Sequence, residues 1–138
     1  MYSIGTLSEH TKVKVPTIRY YEEIGLLAEA GRTAGNQRRY DDTALERLSF
    51  IRHARDLGFP IDAIRALITL QNHPDRSCAE ASEIADQQLS GVREKIAKLQ
   101  SLEQELSRIS EGCSGAGQAA NCYVLASLAD HSKCDHDH

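Results

Sequence analysis

Between Leu89 and Ile109 the apolar residues Leu89, Val92, Ile96, Leu99, Leu102, Leu106 and Ile109 recur in steps of 3, 4, 3, 3, 4 and 3. This is close to the 3.5-residue spacing of a coiled-coil seam. The run from Cys78 to Cys113 holds no proline and is rich in helix formers, so the pattern predicts one long helix over 76–111, a rod of about 45–50 Å. Gly91 weakens it by about 1 kcal/mol relative to alanine, which packing can absorb. A lone helix cannot bury its own stripe. The expected partner is the same helix of a second copy, which makes this a dimerisation element.

Upstream, residues 1–75 read as short helices and a turn-rich insert. Ile4 and Leu7 share one apolar face, and Pro16 is placed to open a second helix that Ile18 and Tyr21 continue and Gly25 ends. That helix leaves Thr17, Arg19 and Tyr20 outward, a set suited to phosphates and base edges in a major groove. An ordinary solvated helical hairpin would show the same set. The stretch from Gly31 to Tyr40, with Gly35-Asn36 at a hairpin tip, reads as a small β-wing carrying arginines. Thr43-Ala44-Leu45-Glu46 has the form of a capping box and opens a helix with Leu45, Leu48, Ile51 and Leu57 inward and Arg47, Arg52 and Arg55 outward. Gly58 ends it. Pro60 starts another helix, whose apolar face is Ile61, Ile64, Leu67 and Ile68.

Downstream, residues 112–138 comprise a glycine-rich loop with eight residues between Cys113 and Cys122, a short helix at Tyr123–Leu128, and a His/Cys-rich tail. The 35 positions between Cys78 and Cys113 place these thiols about 50 Å apart along a helix, too far to share an ion. Cys113 and Cys122 can share one. If two copies pair antiparallel, Cys78 of the partner subunit arrives beside Cys113 and Cys122, giving two three-sulfur sites per dimer. If they pair in parallel, Cys78 meets only its twin. Cys78 alone also fits a small buried apolar residue. In the tail, His131, Cys134, His136 and His138 form a cluster of potential ligands for an accessory metal site, although a plain polar terminus would look the same.

Composition narrows the class. The chain has 138 residues and four cysteines, enough for one small domain with a dimerisation element. No apolar run approaches the roughly 20 residues needed to span a bilayer, and the N-terminus lacks the pattern of a signal peptide. A cytoplasmic protein is expected, with its thiols reduced and available as ligands or redox sensors. The net charge is −4, yet residues 1–60 carry nine Lys/Arg against eight Asp/Glu, and Ala30 to Tyr40 holds three arginines and no acid. A local basic patch of this kind is compatible with phosphate contact.

Thr17-Ile18-Arg19-Tyr20-Tyr21-Glu22, Gly25-Leu26-Leu27 and Arg38-Arg39-Tyr40 together resemble the DNA-binding half of MerR-family transcription regulators, and the resemblance runs along essentially the whole chain. Glu29 stands where many members have proline, and Thr11-Lys12 where a glycine is common. The resemblance implies a mainly α fold: a winged helix-turn-helix domain with a two-helix connector (1–75), a long antiparallel coiled-coil helix (76–111) and a C-terminal metal-binding loop. It implies a homodimer on double-stranded promoter DNA whose two recognition elements are spaced too far apart. Inducer binding then distorts the DNA so that RNA polymerase can transcribe metal efflux or resistance genes. By position, Thr17, Arg19 and Tyr20 would meet the groove, and Arg32, Asn36, Arg38 and Tyr40 would be wing contacts to the backbone.

The ligand set then bears on the inducer. Members that sense monovalent copper, silver or gold carry serine where Cys78 stands, and a third thiolate suits a divalent ion instead. Zinc sensors typically have a second cysteine directly after the first loop cysteine and a histidine in the loop; here Ser114 follows Cys113 and the loop has no histidine. Cys78, Cys113 and Cys122 therefore point to a soft divalent ion, with cadmium favoured and lead, zinc or mercury open. A thiol-based redox regulator of the same fold is the alternative, because Cys113 and Cys122 could form a disulfide. A multidrug sensor would need a larger ligand-binding domain. No catalytic constellation of an enzyme stands out.

Overall fold

Each helix of the N-terminal region begins and ends where the backbone chemistry allows. In the computed structural model, which describes residues 1–129, α1 spans Ile4–Thr11 and is capped by Ser3, whose hydroxyl accepts from the Thr6 N–H at 3.1 Å. It stops at Lys12, which adopts a left-handed φ of 64°. Three residues later α2 (Val15–Glu23) starts with Pro16 in its first turn, where a missing N–H costs nothing. Gly25, at φ 76°, turns the chain out of α2 in the left-handed conformation that glycine adopts freely.

The insert forms a two-stranded antiparallel hairpin, β1 (Gly31–Arg32) with β2 (Arg38–Arg39), in the register Gly31 opposite Arg39 and Arg32 opposite Arg38. Its loop is closed by the Thr33 N–H on Gln37 and by Asn36, which takes the positive φ of 62°. An isolated bridge between Tyr2 and Tyr40 ties the hairpin to the N-terminus.

α3 (Asp42–Asp56) begins two residues earlier than the capping-box pattern predicts. Asp41 is the cap, its carboxylate accepting from the Ala44 N–H at 2.9 Å; an aspartate one residue before the helix serves as well as the threonine within it. Gly58, at φ 85°, ends this helix, and α4 (Ile61–Gln71) follows from Pro60. Leu7, Ile18, Tyr21, Leu26, Leu27, Tyr40, Leu48, Ile51, Ile64 and Ile68 form one buried cluster across α1 to α4. Leu57, expected inward, is 56 % exposed, because it is the residue at which the backbone leaves α3.

Two compact units divide at Ile84 and Ala85. α5 (Ala79–Glu111) is one helix of 33 residues, unbroken at Gly91. Beyond it come a single 3₁₀ turn, Ala119–Asn121, and α6 (Tyr123–Ala129). Leu89, Val92, Ile96, Leu99 and Leu106 of the α5 stripe are exposed, while Ile109 is buried. Among the described residues no helix is long and apolar enough to cross a membrane.

Candidate functional site

The second helix of the N-terminal unit turns one face to the core and one outward. Ile18 and Tyr21 are buried, which leaves Arg19 exposed, Tyr20 half exposed and Thr17 partly so. Tyr20 keeps a tilted ring contact with Tyr21 at 6.1 Å. The C-terminal ends of both short helices are held by arginines that the sequence pattern assigned simply to the surface or left unmentioned. One Nη of Arg52 donates to the carbonyls of Thr11 (3.1 Å) and Lys12 (2.7 Å), and Arg65 donates to the carbonyl of Ile24 at 2.8 Å. Carbonyls at a helix end have no partner inside the helix, so these guanidinium groups on α3 and α4 fix α1 and α2 against the core.

On the wing, Arg32 and Asn36 are exposed, and Arg32 reaches back to the Asn36 carbonyl at 3.3 Å. Arg38 is partly buried and pairs with Glu22 at 3.4 Å. Tyr40 corrects the expectation of a surface contact: it is 1 % exposed, and its hydroxyl donates to Glu22. Burial, then the bond to Glu22 and its charge, push the Tyr40 phenol up to about 12. Glu22 thus joins α2 to the wing through Tyr40 and Arg38, and Tyr40 anchors the wing instead of displaying it.

In the C-terminal unit the loop brings two of the candidate ligands together. The Sγ atoms of Cys113 and Cys122 lie 3.6 Å apart, both partly buried, beside a cavity of about 350 Å³ lined by Ser114, Gln118, Asn121 and Tyr123 among others. Cys122 directly precedes α6, and the backbone N–H of Leu125 donates to its sulfur. That bond, the Cys113 thiol and the Val124 N–H hold the Cys122 thiol below its ordinary value, against a smaller opposing effect of burial. A thiol biased toward thiolate is a better nucleophile and a better metal ligand.

The separation also constrains coordination. Two sulfurs at about 2.3 Å from a tetrahedral zinc stand about 3.8 Å apart, whereas a linear pair would stand about 4.6 Å apart. At 3.6 Å the pair fits a bent S–metal–S angle. Cys78 is exposed in the single chain and lines a different, more apolar recess with Phe50, Leu67 and Leu70. Among the described residues no three Cys, His, Asp or Glu side chains of one chain gather as a metal cluster. His131, Cys134, His136 and His138 lie outside the described residues.

The family model for MerR HTH family regulatory proteins matches residues 2–71, and that described as MerR, DNA binding matches residues 45–109. The chain belongs to the MerR family. Within the family it is 39 % identical to the HTH-type transcriptional regulator ZntR of Escherichia coli K12, over 93 % of this chain and 92 % of that protein. It is 36 % identical to the mercuric resistance operon regulatory protein of Pseudomonas fluorescens, over 91 % and 86 %. The crystal structure of PbrR691 from Ralstonia metallidurans in complex with lead(II) superposes with a TM-score of 0.79 at 38 % identity, covering 93 % of this chain and 99 % of that one. These MerR-family relatives are transcription regulators, not enzymes, and the N-terminal unit described above is the DNA-binding half of such a regulator.

Proposed function

We propose that this MerR-family chain works as a homodimer that binds promoter DNA and activates transcription when a soft divalent ion joins its two subunits. Arg19, Tyr20 and Thr17 on α2 would enter the major groove, and Arg32, Asn36 and Arg38 would place the wing on the phosphates. The observation that carries the metal reading is the Cys113–Cys122 pair at 3.6 Å on a loop directly after α5. Two sulfurs leave a divalent ion short of ligands. The remaining described cysteine, Cys78, stands at the opposite end of a 33-residue helix, and a helix of that length is about 50 Å long. A second copy, running antiparallel along the exposed α5 stripe, would deliver Cys78 as the third sulfur. Two of the three relatives named above carry mercury or lead in their names. Three thiolates suit cadmium, lead, zinc or mercury better than a monovalent ion; cadmium is favoured, with the histidine-rich tail as an accessory source of ligands.

The bound ion would supply the positive charge that lets three thiolates crowd together. The protein's own part is to convert that closure into DNA distortion. Specificity for the operator then rests partly on how easily its spacer untwists and bends, so RNA polymerase gains access with little change in affinity for the operator.

Cys78→Ser tests the reading. The variant is expected to bind operator DNA normally and to lose cadmium-dependent transcription; an unimpaired response would remove Cys78 from the site. A second reading, a thiol redox switch, is favoured by the same 3.6 Å contact together with the lowered Cys122 thiol. Peroxide alone would then drive the promoter in Cys78→Ser, which the metal reading excludes.

A further inference from the structure

The thiol pair is held by residues that carry no sulfur. Tyr123 follows Cys122 directly, and its hydroxyl accepts a hydrogen bond from Nη1 of Arg108, one turn before the end of α5. The Arg108 guanidinium also stands 5.9 Å from the centre of the Tyr123 ring, within cation–π range. Its other Nη donates to Glu105, whose carboxylate is buried in the same unit. On the loop side, the ring presses on Gly112: a Cβ at that position would overlap three carbons of the Tyr123 ring. The ring's own residue, Tyr123, stands beside Cys122, and the residue it presses on, Gly112, stands beside Cys113.

We infer that Glu105, Arg108, Tyr123 and Gly112 form a clamp that positions the Cys113–Cys122 pair at the short separation of a bent, multiply coordinated ion, and so sets the protein against linear two-coordinate ions. This rests on the metal reading above. The physical argument is one of leverage. The loop between the cysteines is held near Cys122 by the 3₁₀ turn Ala119–Asn121, while Gly115 and Gly117 meet no neighbouring atoms that a Cβ would touch, so the middle of the loop adds little to fix the span. The Tyr123 ring is fixed instead, by a charged donor on one edge and by backbone at Gly112 on its flank. Opening the sulfurs from 3.6 Å toward the roughly 4.6 Å of a linear pair by moving the loop backbone pulls on Tyr123 against both.

Tyr123→Phe keeps the ring and loses the bond to Arg108; Tyr123→Ala loses both supports. Each full-length variant is titrated with Cd(II), followed by thiolate-to-metal charge-transfer absorption, and then with Ag(I) in competition. The expected result is a fall in cadmium affinity of about tenfold or more for Tyr123→Ala, a smaller fall for Tyr123→Phe, and little loss for silver, so that the Cd/Ag preference shifts toward silver in that order. A purely structural role would weaken both ions alike, and that outcome overturns the clamp. Unchanged cadmium affinity in both variants overturns it as well. Should Tyr123→Ala not fold by circular dichroism, the Cd/Ag ratio of Tyr123→Phe decides alone, with an unshifted ratio counting against the clamp. Cys113→Ser, run in parallel, separates the two levels of argument: a wild-type chain with no charge-transfer band that Cys113→Ser abolishes would sink the metal reading itself.

Discussion

Arg19 and Tyr40 lie at the two extremes of what a residue in a DNA-binding unit can do. Arg19 is exposed, and the core residues Ile18 and Tyr21 on the same helix fix its direction. Arg19→Ala is expected to weaken operator binding by about 1–3 kcal/mol if it reads a base, with thermal stability unchanged; fluorescence anisotropy at moderate salt measures it, and unchanged binding would refute the contact. Tyr40→Phe should do the reverse. It removes a hydrogen bond to a carboxylate that is itself nearly buried, at a cost of about 1–3 kcal/mol, while DNA affinity per folded molecule changes little. Tyr40 also carries a pH signature. Its phenol ordinarily titrates at 10 and is held up to about 12 in the fold. A group kept protonated above its ordinary value contributes stability that is complete below pH 10 and fades as pH rises through 12. The wild-type denaturation midpoint should therefore fall across that window more steeply than that of Tyr40→Phe, and parallel curves would show that the tyrosine is not anchoring the wing.

At the level of elements, the chain's punctuation was largely legible. Pro16 near the start of α2, Gly25 and Gly58 at helix ends, and the uninterrupted run of α5 follow from which φ angles those residues can take, a property each residue brings with it. What the pattern could not supply were contacts made between elements. The guanidinium groups of Arg52 and Arg65 that close the carbonyl ends of α1 and α2 come from 40 to 41 residues away in sequence. On a helical wheel such arginines look like solvated surface. The Asp41 cap illustrates a different difficulty: both Asp41 and Thr43 are good caps, and the bridge between Tyr2 and Tyr40 just upstream fixes which one stands at the helix start. The site was legible in the same uneven way. Spacing brings Cys113 and Cys122 within reach of one ion, but the support given to Tyr123 by Arg108 and Gly112 is a packing relation, with no periodic signature to announce it.

The molecule as a whole poses a question of valence. One chain offers two thiols at 3.6 Å and, in its N-terminal unit, an exposed third. It also presents a stripe of apolar side chains along α5, Leu99 being 64 % exposed, in the coiled-coil spacing that a second helix can cover. If the two deficiencies are met by the same event, then dimerisation and metal binding are linked, and the ion gains its third ligand only across the interface. Mixed dimers separate this from every single-chain alternative. A chain with Cys78→Ser retains Cys113 and Cys122; a chain with Cys113→Ser and Cys122→Ser retains Cys78. With Cys134→Ser added to both chains, neither homodimer can assemble three sulfurs. A mixed dimer assembles them once, because the intact Cys78 of one subunit meets the intact loop of the other, and its second site is empty of sulfur altogether. Co-expressed with different affinity tags and purified through both, the mixed dimer is expected to bind one cadmium per dimer with the charge-transfer absorption of a three-sulfur site, where the wild type binds two. A site confined to one chain predicts no rescue, since no chain in the mixture carries all three cysteines. Parallel pairing predicts none either, because it sets Cys78 beside position 78 of the partner and leaves the loops apart.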